Sequence, residues 1–508
     1  MKRLTILIIL LCILSLCTSC SKPAETVEIV DDNVRNVYEI FVGSFSDSDG
    51  DGMGDLNGVT QKLDYIQEMG YTAIWLMPIH PSPSYHKYDV TDYYAVDSAY
   101  GTMEDLEKLL EEAHERDIQI YLDLVLNHTS NQHPWFQEAK KEFLSGEGGA
   151  YADWYNFSHD AQNGYAKVTS NTYYEARFVD SMPDLNLNSV TLRKEIHNIL
   201  QFWLDKGVDG FRLDAVTSYY TGNNSSSITF LNWLANEARS IKSDVYLVGE
   251  CWANDSTIRQ YYKSGIDSFF QFSLAQGDGV IAKTMNVSSP APYFKRALSA
   301  AVDLTEGHIP AVFLDNHDTN RIAGAIGRTQ IRKIKFAYGL ASVFNGSVYT
   351  YYGTEIGMVG SGRDENKRIA MLWDSEDQSM LCRNPVNTDT AEYVYEGVKQ
   401  QEKDAASILN YHKAANRLRN LYPAIARGEM TFYNDLGSNT LLVLEKSWNE
   451  ETTAVVINFD PEETATADLS SLNYTKCETL SVDQEAAVYK DGQLSLPPYS
   501  IAVLSNGK

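Results

Sequence analysis

Gly210-Phe-Arg-Leu-Asp214 is a short apolar run that ends in a carboxylate. Two later stretches have the same form, Val245-Tyr-Leu-Val-Gly-Glu250 and Ala311-Val-Phe-Leu-Asp-Asn-His-Asp318. Short apolar runs bounded by polar residues are typical of strands that are buried on both faces of a parallel sheet. An acid directly after such a strand lies at the carboxyl end of the sheet, where barrel enzymes carry their catalytic residues.

The chain contains eight such strand-like runs, with helical stretches between them. The runs span 37–42, 73–77, 119–125, 210–213, 245–249, 268–274, 311–314 and 347–351. The helical stretches, marked by a 3.6-residue apolar period or by start and stop residues, span 103–116, 189–206, 229–240, 293–304 and 332–343. This alternation predicts an α/β fold, a (β/α)8 TIM barrel over residues 34–427.

Two regions do not fit the repeating unit. The connection after the third strand is rich in Tyr, Asn, Ser and Trp and is too long for a simple loop, so we expect residues 129–186 to form an inserted lobe over the barrel mouth. Near the C-terminus the helical period stops, and β-like runs at 441–445, 453–457 and 500–504 are separated by turn residues. These runs predict an all-β sandwich over residues 428–508.

The composition narrows the range of partners. The 508 residues include 42 Lys and Arg against 68 Asp and Glu, a formal net charge of −26. Such a charge repels nucleic acid and anionic lipid, whereas a neutral ligand such as a sugar is not repelled. Three of the six cysteines lie in the first twenty residues, so no disulfide framework is indicated.

The N-terminus has the pattern of a targeting segment. Lys2 and Arg3 precede an apolar stretch from 4 to 16, and Leu16-Cys-Thr-Ser-Cys20 follows, which resembles a bacterial lipobox. We expect a signal peptide over 1–19, a lipidated tether over 20–33, and an extracytoplasmic, cell-surface protein anchored at Cys20. The alternative is ordinary secretion with cleavage near Ser19. Membrane contact would be through the lipid alone, and we expect a monomer.

Polar motifs at four strand ends carry a family resemblance. They are Asp123-Leu-Val-Leu-Asn-His128, Gly210-Phe-Arg-Leu-Asp214, Gly249-Glu250 and Asp315-Asn-His-Asp318. Their order and placement, together with Met182-Pro-Asp-Leu-Asn186 near the end of the lobe, resemble glycoside hydrolase family 13, the α-amylase family. The polar residues of any one motif could simply make structural hydrogen bonds. To explain all four motifs in this way, such residues would have to stand at four strand ends by coincidence.

The resemblance implies a role for each of the three acids. Asp214 would be the nucleophile, Glu250 the general acid/base and Asp318 the residue that stabilises the transition state. Arg212 and Asp214 alternate on one strand, so their side chains share a face and the guanidinium can keep the carboxylate ionised. Retaining chemistry would place Asp214 and Glu250 about 5 Å apart, with Glu250 protonated near neutral pH.

The same resemblance implies which residues hold the sugar. Tyr88 would stack on the glucose at the cleavage site, while His86, His128 and His317 would hydrogen-bond its hydroxyls, and Arg212 completes the set of substrate-binding residues. Asp123 would orient Arg212 rather than contact the sugar. Tyr88 as a simple loop anchor is the alternative.

An acidic loop before the first long helix predicts a calcium site. Its acids Asp47, Asp49, Asp51 and Asp55 alternate along a Gly-containing loop, an arrangement suited to Ca²⁺. The family resemblance implies that the backbone carbonyl of Met53 is a further ligand. An EF-hand loop would have Glu at its twelfth position, where this chain has Gly58. The alternative is a solvated acidic turn. A second calcium near Asn127 is left open, because Thr217 and Ser218 stand where many α-amylases have Lys-His.

The sequence therefore predicts retaining hydrolysis of α-1,4 bonds in starch or maltodextrin. Ala215 after the nucleophile resembles α-1,4-acting members of the family, whereas Asp89 after Tyr88 is seen in neopullulanase-like members. Transglycosylation, or action on pullulan, is an alternative. A third interpretation is a glucan-binding protein without catalytic activity, and the presence of all three acids argues against it.

Overall fold

The computed structural model describes residues 27–379 and 381–506. The predicted signal peptide and the predicted lipidation site Cys20 lie outside the described residues. Within that part of the chain, no helix is both long enough and apolar enough to cross a membrane.

The eight predicted barrel strands are confirmed. They are parallel and span Asn36–Ile40, Ala73–Leu76, Gln119–Leu124, Gly210–Leu213, Tyr246–Gly249, Ser268–Phe269, Ala311–Phe313 and Ser347–Tyr351. Each pairs with its neighbour in chain order except the sixth with the seventh, and the eighth also pairs with the first. A parallel bridge between Phe270 and Ala311 joins the sixth strand to the seventh. The sheet is thereby a TIM barrel.

The sixth strand is shorter than the apolar run that predicted it. The run extends to residue 274, but after Phe270 the chain turns, with the Leu274 amide donating to the Gln271 carbonyl at 3.1 Å. Phe272 and Leu274 remain buried in this turn. Hydrophobicity reports burial and not backbone conformation, so the pattern could not show where the strand ends.

The α-helices lie between and beyond these strands. They span Leu56–Gln61, Leu63–Glu68, Met103–His114, Pro134–Ser145, Val190–Asp205, Asn224–Ile241, Asp255–Tyr261, Val280–Thr284, Pro290–Thr305, Ile322–Ile326, Ile331–Ser342, Asp364–Lys367, Val398–Gln401, Ile408–Leu421 and Ala424–Arg427. All five predicted helices are present. Ser189 caps one of them as expected, because its side chain accepts a hydrogen bond from the Leu192 amide.

Side chains alternate between the inside and the outside of the barrel along each strand. In the first strand Val37 packs inside, while Tyr38 and Ile40 pack against the outer helices. Large aromatic side chains fill the rest of the interior, among them Trp75, Tyr121, Tyr246, Phe270, Phe313 and Tyr349. Two residues further towards the carboxyl ends, Val37, Tyr121 and Phe313 are followed by the buried acids Glu39, Asp123 and Asp315.

The inserted lobe follows the third strand. It contains the helix Pro134–Ser145 and a three-stranded antiparallel sheet of Phe157–Ser158, Tyr165–Thr169 and Thr172–Glu175. Bridges from His128 to Asp184 and from Tyr155 to Leu185 tie the end of the lobe back to its start. The lobe therefore stands beside the carboxyl ends of the strands.

The C-terminal region is a sandwich of two antiparallel sheets. The five-stranded sheet comprises Glu429–Phe432, Leu441–Trp448, Glu451–Asn458, Lys476–Ser481 and Ser500–Ser505. The three-stranded sheet comprises Ala465–Asp468, Val488–Lys490 and Gln493–Leu496. Alternate residues of the larger sheet face the smaller one, such as Val443 and Val456, or the barrel helices, such as Leu444 and Val455. Both of its faces are buried, so its central strands are continuously apolar.

We expect Gly210→Ala to lower the melting temperature. A Cβ at this position would lie 2.3 Å from the Tyr246 carbonyl oxygen, so the fourth and fifth strands would have to move apart. Overpacking of this kind costs about 1–3 kcal/mol. Gly324→Ala is the control, because its Cβ would meet nothing closer than 3.8 Å, and a helical Gly→Ala change is neutral or stabilising by up to about 1 kcal/mol. Equal melting temperatures for the two variants would contradict this account.

Candidate active site

A cleft of about 520 Å³ opens at the carboxyl ends of the barrel strands. The three predicted acids and three of the predicted sugar-binding residues line it, namely Asp214, Glu250, Asp318, His86, Tyr88 and His128. Arg212 and His317 lie directly beneath, with 1% and 0% exposure. The structure therefore brings all eight of these residues together.

Arg212 is at the centre of the site. Its Nη1 donates to Asp123 at 2.9 Å and to Asp214 at 2.7 Å, and its Nη2 is 3.1 Å from a carboxylate oxygen of Glu250. These acids come from three consecutive strands, and alternation turns each of them inward. One guanidinium thus holds Asp214 and Glu250 on the same side of the cleft.

Asp123 supports Arg212 from below, as the sequence predicted. Its side chain is fully buried, and both of its oxygens accept from Arg212, while the Tyr88 hydroxyl donates to it at 3.0 Å. Burial raises the pKa of Asp123, Arg212 lowers it and Asp214 raises it again, so that it lies at about 6. Asp123 therefore positions both the guanidinium and the Tyr88 ring.

Glu250 is the acid whose environment favours the protonated form. Burial raises its pKa most, Arg212 lowers it, and the carboxylates of Asp214 and Asp318 raise it further, to about 7. Its Oε2 also accepts a hydrogen bond from the Ala215 amide at 2.9 Å, which fixes the direction of the side chain. Near neutral pH this group can donate a proton.

Asp318 has the opposite environment. Burial raises its pKa, but the nearby His317 imidazole and the Arg368 guanidinium lower it well below its usual range. His317 Nε2 lies 3.0 Å from one carboxylate oxygen, and Arg368 Nη2 donates to the other at 2.9 Å. Asp318 is therefore a fixed anion at the edge of the cleft.

His86 and His128 are neutral donors. Burial is the main cause that lowers the pKa of each. The Nδ1 of His86 accepts a hydrogen bond from the backbone amide of Tyr88 at 3.1 Å. The Nδ1 of His128 lies 3.2 Å from the side-chain amide nitrogen of Asn127, which can only donate. In both rings the proton is therefore on Nε2. In the described part of the chain, the buried His128 Nε2 makes no hydrogen bond of normal geometry, which leaves it free for a ligand hydroxyl.

The predicted calcium loop lies outside the cleft. One carboxylate oxygen from each of Asp47, Asp49 and Asp55 lies within 4.8 Å of the others. The Asp51 carboxylate instead accepts from the Met53 amide at 2.6 Å. Three convergent anionic oxygens fit a hard divalent cation, which would offset their mutual repulsion.

The second calcium that the sequence left open has weaker structural support. Asn127 donates to Asp184 at 3.4 Å, and burial together with Glu175 raises the pKa of Asp184 to about 7. Glu175 is itself engaged by Arg177 at 2.7 Å. Among the described residues, these groups do not form a cluster of convergent metal-ligating atoms.

Comparison of the sequence with known proteins identifies the family of this chain. Residues 39–428 match the family model described as alpha amylase, catalytic domain. The chain belongs to the α-amylase family, glycoside hydrolase family 13. The protein is accordingly an enzyme, a glycoside hydrolase that acts on glucans.

Individual relatives span more than one specificity. Alpha-amylase 3 of Dictyoglomus thermophilum is 40% identical over 413 residues, 77% of this chain and 78% of that protein. The solved structure of Eubacterium rectale Amy13B has a TM-score of 0.90 at 42% identity, and the match covers 95% of this chain and 97% of that one. Oligo-1,6-glucosidase of Heyndrickxia coagulans is 27% identical over 552 residues, 89% of this chain and 98% of that protein.

Sequence reasoning missed several residues of the cleft. Phe178 and Trp252 line it with 52% exposure each, and Arg368 and Asp364 approach from beyond the eighth strand. Trp252 follows Glu250 by two residues, so its place in the sequence could have indicated it.

We expect Arg212→Met to destabilise the enzyme at neutral pH. The fully buried Asp123 would lose its cation, and removing one partner of a buried ion pair costs about 3–5 kcal/mol. The pKa of Asp123 is already raised in the folded state, so the loss should grow as pH rises from 5 to 8. Thermal unfolding across this range measures the effect. The double variant Arg212→Met/Asp123→Asn should recover most of the stability, and failure to do so would refute the pairing argument.

Proposed function

We propose that the enzyme hydrolyses α-1,4-glucosidic bonds in starch and maltodextrins with retention of configuration. The observation that carries this proposal is that Asp214 and Glu250 contact the same guanidinium while the surroundings of Glu250 raise its pKa to about 7. A nucleophile and a proton donor on the same side of a cleft are what a retaining glycosidase requires.

The reaction would proceed in two steps. Asp214 attacks the anomeric carbon, a carbon–oxygen bond forms to the enzyme, and Glu250 gives its proton to the departing oxygen. Glu250 then accepts a proton from water, whose oxygen attacks the same carbon and releases Asp214. Asp318 offsets the positive charge that develops on the sugar ring. His86 and His128 hold the sugar hydroxyls, Tyr88 stacks on the apolar face of the sugar, and the fully buried His317 holds Asp318 in place.

Two features favour α-1,4 over α-1,6 cleavage. Ala215 follows the nucleophile, as it does in α-1,4-acting members of the family. The relative named Alpha-amylase 3 is 40% identical to this chain over 413 residues, whereas two relatives named glucan 1,6-alpha-glucosidase are 34% and 35% identical over 350 and 355 residues, and the oligo-1,6-glucosidase is 27% identical.

Transglycosylation is a second candidate, and one observation favours it. The Trp252 ring is half exposed at the cleft, where it stacks on Phe272 with a 4.9 Å centroid distance. A rigid aromatic face close to Glu250 can hold a second sugar, which would then compete with water for the covalent intermediate. Longer products at high maltooligosaccharide concentration would support this activity.

We expect Asp214→Asn to lower turnover at least about 10³-fold while leaving the fold intact, since it removes the nucleophile. The exposed Asp160→Asn in the lobe is the control and should be fully active. Products from amylose, maltoheptaose and pullulan would be analysed for each enzyme. Mixed maltooligosaccharides from amylose support the proposal. Maltotriose from pullulan would show α-1,6 cleavage, and an active Asp214→Asn variant would remove the nucleophile assignment.

We propose further that the acidic loop holds Ca²⁺ through Asp47, Asp49, Asp51, the Met53 carbonyl and Asp55. The ion would be structural. The Arg383 amide donates to the Gly52 carbonyl at 2.7 Å, so the loop also anchors the segment beyond residue 381.

We expect EGTA to lower the melting temperature of the enzyme and millimolar Ca²⁺ to restore it, because an ion bound only to the folded state stabilises it. Asp49→Asn should reduce this response, with a melting temperature close to that of the wild type in EGTA. Magnesium serves as the control ion. A melting temperature that is insensitive to EGTA would count against the site.

The N-terminal anchor is a separate proposal. Lipidation at Cys20 and an extracytoplasmic, cell-surface location rest on the sequence pattern of residues 1–20, and they stay predictions here. The monomeric state likewise stays a prediction.

A further inference from the structure

Glu39 is a buried carboxylate that the reaction above does not use. It lies in the first barrel strand, two residues after the interior residue Val37, so alternation directs it into the barrel near the carboxyl ends. It is 1% exposed, and its Oε1 lies 2.5 Å from the Nδ1 of His317. A buried carboxylate without a partner is costly, and His317 is the partner that the fold provides.

The contacts of His317 require a proton on both ring nitrogens. The Nδ1 faces the Glu39 carboxylate, which accepts hydrogen bonds when ionised. The Nε2 lies 3.0 Å from Asp318 Oδ2 and 2.7 Å from the Tyr88 hydroxyl. That hydroxyl gives its own proton to Asp123 at 3.0 Å, so its oxygen accepts from Nε2. An imidazole that donates from both nitrogens is an imidazolium.

We propose that Glu39 is a positioning residue that holds His317 as a cation, and thereby keeps Asp318 an oriented anion in the cleft. Glu39, His317, Asp318 and Arg368 then form a row of alternating charge, in which each group lies within 3.0 Å of the next. This role of Glu39 rests on the proposed function in one respect only, namely that the cleft is where glucans are cleaved.

The groups that face His317 support this charge state. Glu39 approaches from the first strand, Tyr88 from the loop after the second, Asp123 from the third and Tyr351 from the eighth, while Arg368 bonds the His317 carbonyl. Burial lowers the pKa of His317, but Asp318 and Glu39 raise it to about 9. The ring is therefore protonated at neutral pH and loses its charge only as pH rises through about 9.

The first test is a titration of the His317 ring in the whole, ligand-free enzyme. Histidine-selective ¹³C labelling and NMR would follow the ring signals, and a His317→Gln variant would assign the signal. We expect the ring to remain protonated up to about pH 9. A midpoint near the ordinary histidine value of about 6.5 would overturn the proposal without requiring any variant at Glu39.

The second test is Glu39→Gln, which keeps an acceptor for Nδ1 but removes the charge. We expect the His317 midpoint to fall by at least about one unit, since a neighbouring opposite charge is lost. Glu355→Gln is the matched control. Glu355 is also fully buried, but it lies in the short helical turn after the eighth strand, where the hydroxyls of Tyr38 and Tyr65 hold it, so its substitution should leave the His317 midpoint unchanged. A midpoint that does not move in Glu39→Gln would refute the proposed role.

Kinetics give a third readout. In Glu39→Gln, kcat/KM should fall at least about twofold more at pH 8 than at pH 6, because a midpoint lowered from about 9 by one unit leaves about half of the His317 rings deprotonated at pH 8 and nearly all protonated at pH 6. A merely structural role would lower activity equally at both pH values, and that result would contradict the proposal. Because the NMR midpoint is measured without substrate, it remains informative even if glucan hydrolysis proves to be the wrong activity.

Discussion

The burial of Arg212 is the constraint on which the rest of the site depends. Its guanidinium is 1% exposed and contacts the carboxylates of Asp123, Asp214 and Glu250. A buried cation is tolerated only when it is paired and its hydrogen bonds are made, so the fourth strand requires acids on its two neighbours. The fold meets this requirement through register, because Asp123 is paired directly with Arg212 in the sheet.

The two-residue period of the strands explains why these charges meet. Interior positions alternate, so Val37 and Tyr121 of the apolar layer are followed, two residues on, by Glu39 and Asp123, which point to the same axis. The aromatic layer closes the barrel to water from below. Charges above it therefore interact in a low-dielectric environment on one side and meet solvent only through the cleft.

The sequence was sufficient for the strands and the three acids, because those depend on local patterns. Apolar runs located all eight strands, and the acids at the ends of three of them placed Asp214, Glu250 and Asp318 at one end of the sheet. The missed features depend on contacts between distant residues. Glu39 sits inside a strand whose pattern shows only burial, and Arg368 reaches Asp318 from 50 residues further along the chain. The short strands of the smaller C-terminal sheet were missed because only alternate residues are buried, as in Gln493–Leu496.

The partners of each carboxylate, rather than its residue type, decide its charge. Glu250 shares one guanidinium with two other acids and has a further carboxylate nearby. The effect of burial on its pKa therefore exceeds the effect of Arg212, and the pKa rises to about 7. Asp318 has a cation on each carboxylate oxygen. The effect of these two cations on its pKa therefore exceeds the effect of burial, and the pKa falls. The number of cations that contact each carboxyl group thus decides whether that group is protonated or ionised within the same cleft. Because the carboxylates of Asp214 and Asp318 also raise the pKa of Glu250, the charges that keep Asp318 an anion help to keep Glu250 protonated.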